Sequence, residues 1–512
     1  MSAQSAGRPG MMAAERALPV VIQGGMGVGV SCWQLARAVS MSGQLGVVSG
    51  VALDAVFARR LQRGDPGGDM RRALAAFPDQ AVARRVLGRY FVAGGIAPGQ
   101  PFRPIPRLGL RPSLARSELL AVANFAEVYL AKEGHDGLVG VNYMEKVQMA
   151  TPPSLYGAML AGVDYVLVGA GIPLGIPAML RALAMHCAVE VPATVADGPA
   201  GAVPSAAGQP DGNGQAAGAP DPATIAFDPA SLLGGPRPDL ARPVFLAIIS
   251  SAVLATYLNR SEASRPDGFV LEGPVAGGHS APPRGRLHLD EAGEPVYGPR
   301  DVIDLSVVAA TGLPFWLAGG YSRPEQVRAA RAAGAAGVQV GSPFALCRES
   351  GIEPSLRERL VEEAAAGKLR VHNSPEASPA GFPFKVADLA GTMADEDVYS
   401  GRPRLCDLGY LRVPYYRNGT SIGYRCAAEP SEEYERKAGA AGDSAGRWCL
   451  CNGLLATIGL GQHRPSGYVE PPIVTLGQDL AFLPDLLERH GTDFGAADVV
   501  GYLLGDDPDA GT

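Results

Sequence analysis

The chain is predicted to be an α/β protein, a (β/α)8 TIM barrel with a low-complexity insertion and a C-terminal appendage. Two observations predict this. Eight short apolar runs alternate with helix-period segments through the first two thirds of the 512 residues. The last two runs, in FWLAGGYSRPEQVRAARAAGAAGVQVGSPF (Phe315 to Phe344), each stop at a tight glycine turn. Parallel strand ends that turn on glycine side by side present backbone N–H groups, and such concavities hold phosphate at the last strands of a barrel.

The elements follow in order. Residues 1–17 read as a flexible leader, and PVVIQGGMGVGV opens the barrel as a strand running into glycines. Helix CWQLARAVSMSG and strand LGVVSG come next, then helices around AVFARRLQRG and MRRALAAF, a proline-rich loop, and the amphipathic helix LLAVANFAEVYLAKEG. LVGVNY and DYVLVGAG are the third and fourth strands, with helices SLYGAMLAG and AMLRALAMH behind them. Residues 196–222, rich in Gly, Ala and Pro, read as a disordered insertion. PVFLAIIS, helix AVLATYLN and DGFVLEG lead to the two closing strands, and Ser322 is the expected N-cap of the helix between them. The barrel spans residues 18–344; residues 345–512 form a helical and loop-rich appendage. An open doubly wound sheet is the alternative. GMGVG superficially suits a dinucleotide site, but the second strand ends VVSG without the acidic residue that would hold a ribose.

A net charge of -7 argues against nucleic-acid or anionic-membrane partners. No apolar run is long enough to span a bilayer, and the N-terminus has no apolar signal region. The seven cysteines therefore read as reduced thiols of a cytoplasmic protein.

Strand-end residues of a barrel converge at one mouth, which makes Gly25, Met26, Asn142, Glu272, Gly277, Gly278, His279, Gly319, Gly320, Gly341 and Ser342 candidate site residues. A glycine floor at the first strand lets a flat ligand lie on the backbone, and a phosphate grip at the last two completes a cradle for FMN. The expectation is that the isoalloxazine lies over Gly25 and Met26, within reach of their N–H groups. Asn142 would bond the ring or ribityl chain, and Glu272 would accept from a ribityl hydroxyl.

IQGGMGVGVSCWQLARAVSMSGQLGVVSG, EGPVAGGHSAPPRG, LAGGYSRPEQV and VQVGSPF, in that order, resemble the signatures of the nitronate monooxygenase (2-nitropropane dioxygenase) family over roughly residues 18 to 350. The resemblance implies a flavin-binding barrel with non-covalent FMN, oxidising a small nitronate with oxygen. It places Gly25 and Met26 at the ring, with Asn142, Glu272, Gly277 and Gly278 as further cofactor residues. Gly320, Gly341 and Ser342 fall at the phosphate, flanked by Gly319 and Gln339. Three features depart from the family: Glu272 stands where glutamine is usual, Pro343 follows Ser342, and the fourth strand ends VGAGIP where nitronate-oxidising members carry a histidine. SPAGFPFKVADLAGT resembles a segment of the flavin enoyl reductase subunits of polyunsaturated fatty acid synthases. The alternative activity is thus NAD(P)H-dependent reduction of a carbon–carbon double bond in an acyl intermediate, with an acyl carrier as partner. A homodimer is a further expectation.

His279 is the candidate catalytic residue, since an imidazole beside flavin exchanges a proton near neutral pH; the competing assignment is a histidine that only positions the cofactor. The other six histidines lack metal-ligand spacing and read as surface or loop residues. Cys406, Cys426, Cys449 and Cys451 cluster in the C-terminal third, which raises a non-enzymatic alternative, a Cys-rich metal-binding interaction protein. Cys-Leu-Cys is not a usual zinc knuckle, and free thiols under a loop-rich appendage are the simpler expectation, with no metal. Cys32, Cys187 and Cys347 read as core.

Overall fold

A computed structural model describes residues 17–196, 223–418 and 421–505. The expected leader and insertion lie, except for residues 17 and 196, outside the described residues. Fourteen strands are described: β1 Val21–Gln23, β2 Gly46–Ser49, β3 Val139–Met144, β4 Tyr165–Gly169, β5 Val189–Pro192, β6 Thr224–Phe227, β7 Val244–Ile249, β8 Gly268–Glu272, β9 Phe315–Ala318, β10 Gly337–Val340, β11 Val371–Ser374, β12 Phe384–Ala387, β13 Val413–Arg417 and β14 Ser421–Arg425. Eight of them, the eight expected, form one parallel sheet in the order β1-β10-β9-β8-β7-β4-β3-β2.

The sheet closes on itself. A parallel bridge joins Ile22 to Leu45, with Gln23 N–H donating to Leu45 O at 3.0 Å and Leu45 N–H to Val21 O at 3.1 Å. Side-chain amides finish the seam: Gln44 Oε1 accepts from Val21 N at 2.8 Å and Gln23 Oε1 from Val47 N at 2.9 Å. Buried amides here replace ladder bonds that the short strands cannot supply.

The pleat sorts the side chains. Ile22, Val47, Leu167, Leu246, Val270 and Trp316 fill the barrel interior, while their neighbours Val48, Val166, Phe245, Phe269, Leu271 and Leu317 face the outer layer. Trp316 Nε1 donates to Pro19 O at 2.7 Å, fixing the segment that leads into β1 across the bottom of the barrel. The helix Leu114–Lys132, read as amphipathic, is buried on nearly every side. It packs against helices Trp33–Met41, Leu53–Gln62, Asp69–Ala76 and Thr151–Leu160, which leave it no solvated face.

The C-terminal residues are continuous with the barrel's outer core: Leu346, Leu360, Leu476, Phe482 and Val499 share one buried cluster with Val21 and Val340. Tyr410 reaches back to the buried pair Arg116–Asp54 (2.7 Å) and donates to Asp54 Oδ1 at 2.5 Å. The hairpins β5–β6 and β11–β12 and the helix Gln80–Tyr90 were not apparent in the sequence. Ser322 is not the cap of helix Pro324–Ala332; Arg323 holds that position, its N–H bonded to Gln326 Oε1 at 2.9 Å. Cys187 is exposed, not core, whereas Cys32 and Cys347 are buried. No helix of the described residues is long and apolar enough to cross a membrane.

Candidate active site

The turn after β1 is built by its own side chains. Ser31 Oγ accepts from Met26 N and donates to Gly24 O, both at 2.9 Å, and Gln23 Nε2 donates to Ser31 Oγ at 2.9 Å. The N–H of Met26 is thus already committed to Ser31, which corrects the expectation that it reaches a flavin ring. Gly25 lies against Asn142 at the third strand end: a Cβ on Gly25 would stand 2.3 Å from Asn142 Cβ, so no other residue fits.

Ten of the twelve candidate residues line one cavity of about 120 Å³ that opens to solvent: Gly25, Met26, Glu272, Gly277, Gly278, Gly319, Gly320, Gln339, Gly341 and Ser342. Asn142 abuts it through Gly25. The turn after β9 runs through Gly319 (φ 84°) and Gly320 (φ 81°), left-handed conformations that favour glycine. Ser342 Oγ accepts from Gly477 N at 2.7 Å, which leaves its own hydrogen to donate. Gln339 Oε1 is buried without a hydrogen-bond partner. An orphaned amide acceptor in a glycine-walled cavity calls for a donor from a ligand, and the cavity fits a flat, phosphate-bearing group such as FMN.

His279 lines a second chamber of about 270 Å³, shared with Glu145, Lys146, Gly171, Ile172, Ile248, Phe382 and Glu272. Glu272 therefore stands at the junction of both spaces. The fourth strand contributes Ala170 and Gly171 here, with no imidazole. Lys146 and Thr194 border both the chamber and a largely apolar groove of about 90 Å³, walled by Leu110, Met149, Ile225, Leu411 and Val413 and edged by Arg412 and Arg425.

The appendage completes the site. Gly278 N donates to Thr475 Oγ1 and Lys385 N to Gly278 O, both at 2.9 Å. His279 bridges antiparallel to Phe384, so the loop after β8 is held along β12. A Cβ on Gly277 would come within 2.9 Å of Gly477 N, another approach only glycine permits. Thr475, Leu476, Gly477 and Asp479 line the cavity itself, and none was singled out from sequence. PIVTLGQDL carries a TxG turn as its only signal.

Burial sets the protonation states. His279 shares Nε2 with Ser378 Oγ at 2.6 Å and packs on Phe384 with ring centroids 4.8 Å apart. Desolvation lowers its pKa to about 4, so it is neutral at pH 7 and does not titrate where the sequence reading expected. Glu272 is raised to about 7 by desolvation, with Lys385 opposing. The wholly buried Lys385 is lowered to about 8 by desolvation, against the pull of Glu272 and Glu294. Glu145 is also raised by desolvation, opposed by its bond from Gln148 Nε2 at 2.6 Å and by Lys146.

Residues 239–374 match the nitronate monooxygenase family model. This segment runs from β7 to β11 and holds Glu272, the Gly277-Gly278-His279 loop and the glycine turns after β9 and β10; the glycine turn after β1 lies outside it. A nitronate monooxygenase of Pseudomonas aeruginosa is 32% identical over 168 residues, 32% of this chain and 45% of the relative. A probable nitronate monooxygenase of Bacillus subtilis is 38% identical over 96 residues, 19% of this chain and 26% of the relative. The chain thus spans less than half the length of either relative. Among solved structures, FabK of Thermotoga maritima aligns over 96% of this chain and 93% of its own at 14% identity and a TM-score of 0.45. A nitroalkane oxidase of Streptomyces ansochromogenes aligns over 96% of each at 18% identity and a TM-score of 0.41.

The four C-terminal cysteines do converge. Cys406, Cys426, Cys449 and Cys451 line one small cavity between the β13–β14 hairpin and helix Leu450–Thr457, with their thiols raised by burial. Among the described residues, no group of three or more His, Cys, Asp or Glu side chains is arranged to hold a metal ion.

Proposed function

We propose that the chain is an FMN-dependent oxidoreductase that reduces an activated carbon–carbon double bond in an extended, largely apolar substrate, with NAD(P)H as the electron source. The observation that carries the choice of substrate is the chamber beside Glu272 and the adjoining apolar groove edged by arginines. That space suits an acyl chain with an anionic carrier. A small nitronate would leave the apolar groove unused, and would meet the carboxyl groups of Glu145 and Glu272 as well as the ammonium of Lys146.

Gly24 to Met26 would form the floor under the ring, Gln339 Oε1 would accept from the cofactor, and the turns at Gly319–Gly320 and Gly341–Ser342 would hold its phosphate. FMN supplies the two-electron chemistry when bound. His279, neutral near pH 7, orients substrate by hydrogen bonding and carries no charge to it. The hydrophobic groove walls exclude water from the reacting end.

A second reading, oxidation of a small nitronate with oxygen, is favoured by the family match over residues 239–374. Two measurements test these readings. Purified protein reconstituted with FMN should show flavin absorbance at one equivalent; protein that takes up no FMN defeats both. Anaerobic mixing then separates them: bleaching by NAD(P)H with no response to propyl nitronate supports reduction, and the converse supports oxidation.

A further inference from the structure

Glu272 borders a third space besides the two assigned above. A narrow cavity of about 20 Å³, room for about one water molecule, runs from Glu272 past Ser250, Pro274 and Tyr297 to Asp301 and the exposed Arg284. A polar line flanks it: Lys385 Nζ donates to Ser280 Oγ at 3.2 Å, Ser280 Oγ lies 3.4 Å from Tyr297 OH, and Tyr297 OH donates to Ala281 O at 2.9 Å. One carboxyl group thus meets the cofactor cavity, the substrate chamber and a passage to solvent. A group that must take a proton from water and deliver it beside a flavin needs all three contacts.

We propose that Glu272 is the proton donor of the double-bond reduction, reloaded from solvent through the passage beneath Tyr297, with Lys385 as a positioning residue that sets its charge. The inference rests on the reductase reading above. Saturating one double bond takes a hydride and a proton. The hydride comes from the reduced flavin, which NAD(P)H re-reduces. The proton leaves the Glu272 carboxylic acid as the π electron pair becomes the second C–H bond, and the resulting carboxylate regains a proton from water in the passage.

The surrounding charges favour this assignment. Lys385 faces Glu272 from β12, Glu294 faces Lys385, Glu145, Lys146 and His279 face the chamber, and Arg284 and Asp301 stand at the outer mouth. Near neutral pH Glu272 is part protonated, whereas His279 has no spare proton. Glu145 is the rival acid, but its Oε1 is tied to Gln148 and it does not border the passage.

The test compares Glu272→Gln, Glu145→Gln and Lys385→Met in the full chain. Glutamine keeps the shape and an acceptor at position 272. Infrared titration of the flavin-free proteins should show a protonated-carboxyl band that titrates near pH 7, is missing in Glu272→Gln and persists to higher pH in Lys385→Met. In the FMN-loaded proteins, the rate of reoxidation by crotonyl-CoA relative to bleaching by NAD(P)H should fall about 10²–10⁴-fold in Glu272→Gln. Reoxidation of Glu272→Gln at the parental rate, loss of that step in Glu145→Gln alone, or an unchanged carboxyl band overturns the assignment. A parent that is not reoxidised by the thioester while responding to nitronate overturns the reductase reading, and this inference with it.

Discussion

At Gly25 a single hydrogen atom decides whether the cofactor floor exists. A methyl group there would sit 2.3 Å from Asn142 Cβ and 2.9 Å from its Cγ, far inside contact distance, on two strand ends that cannot both move. Gly25→Ala is expected to fold yet load less than about a tenth of the parental FMN, read as flavin absorbance per protein. Asn142→Gly in the same chain makes room for the methyl and should restore part of the loading; no restoration would point away from this contact. His279 makes a second prediction at this scale. His279→Asn should keep its FMN and lose about tenfold or more in turnover, while an inflection near pH 7 persists, because the group titrating there is Glu272. The stability consequence has a definite sign. A histidine lowered from 6.5 to about 4 leaves the folded state short of a proton that the unfolded chain binds, so stability falls as pH drops from 6.5 towards 4. His279→Asn should flatten that part of a denaturation-midpoint profile. Glu272 works in the opposite direction, its raised pKa making the fold less stable as pH rises from 4.5 to about 7.

At the scale of elements, the barrel strands were legible and the hairpins β5–β6 and β11–β12 were not. Val139–Met144, Tyr165–Gly169 and Val244–Ile249 are short, rich in β-branched residues and largely buried on both faces. β12 breaks its apolar run with Lys385, a buried amine that donates to Ser280 and interacts with Glu272 and Glu294, and Ser280 lies 105 residues away. The same distance hid part of the site: Gly277, Gly278 and His279 stand out as a glycine-rich strand end, but Thr475 and Ser378 matter through contacts 197 and 99 residues distant. The pinning of this loop by β12 and Thr475 is testable. Thr475→Val leaves Gly278 N–H without its acceptor, which should cost about 1 kcal/mol or more in chemical denaturation and weaken FMN binding measurably by fluorescence titration. Thr475→Ser retains the hydroxyl and should behave as the parent; equal FMN affinity in all three proteins would mean the loop is held by other contacts.

For the molecule as a whole, the sequence suggested a barrel to residue 344 followed by an appendage, yet the physical core takes no notice of that boundary. Phe344, Leu346, Leu360, Leu476, Phe482 and Val499 belong to the cluster that also holds Val21, Val48 and Leu271. Tyr410 closes on a fully buried Arg116–Asp54 pair, and Arg59 donates a hydrogen bond to Leu460 O. A chain ending at residue 345 would strip the cover from these groups, leaving apolar surface exposed and Asp54 without its hydroxyl donor. Losing even a few fully buried leucine and phenylalanine contacts at several kcal/mol each would exceed the 5–15 kcal/mol that ordinarily separates folded from unfolded chains. Such a truncation should therefore be insoluble, or soluble without a cooperative unfolding transition, and should bind no FMN even though it loses only Thr475, Leu476, Gly477 and Asp479 from the lining of the cavity at the barrel mouth. The milder substitution Tyr410→Phe keeps the ring and removes one hydroxyl; it should lower stability by about 1–3 kcal/mol with FMN stoichiometry unchanged. A truncated barrel that melts cooperatively and turns yellow with FMN would show instead that residues 346–512 are an accessory to an independent domain.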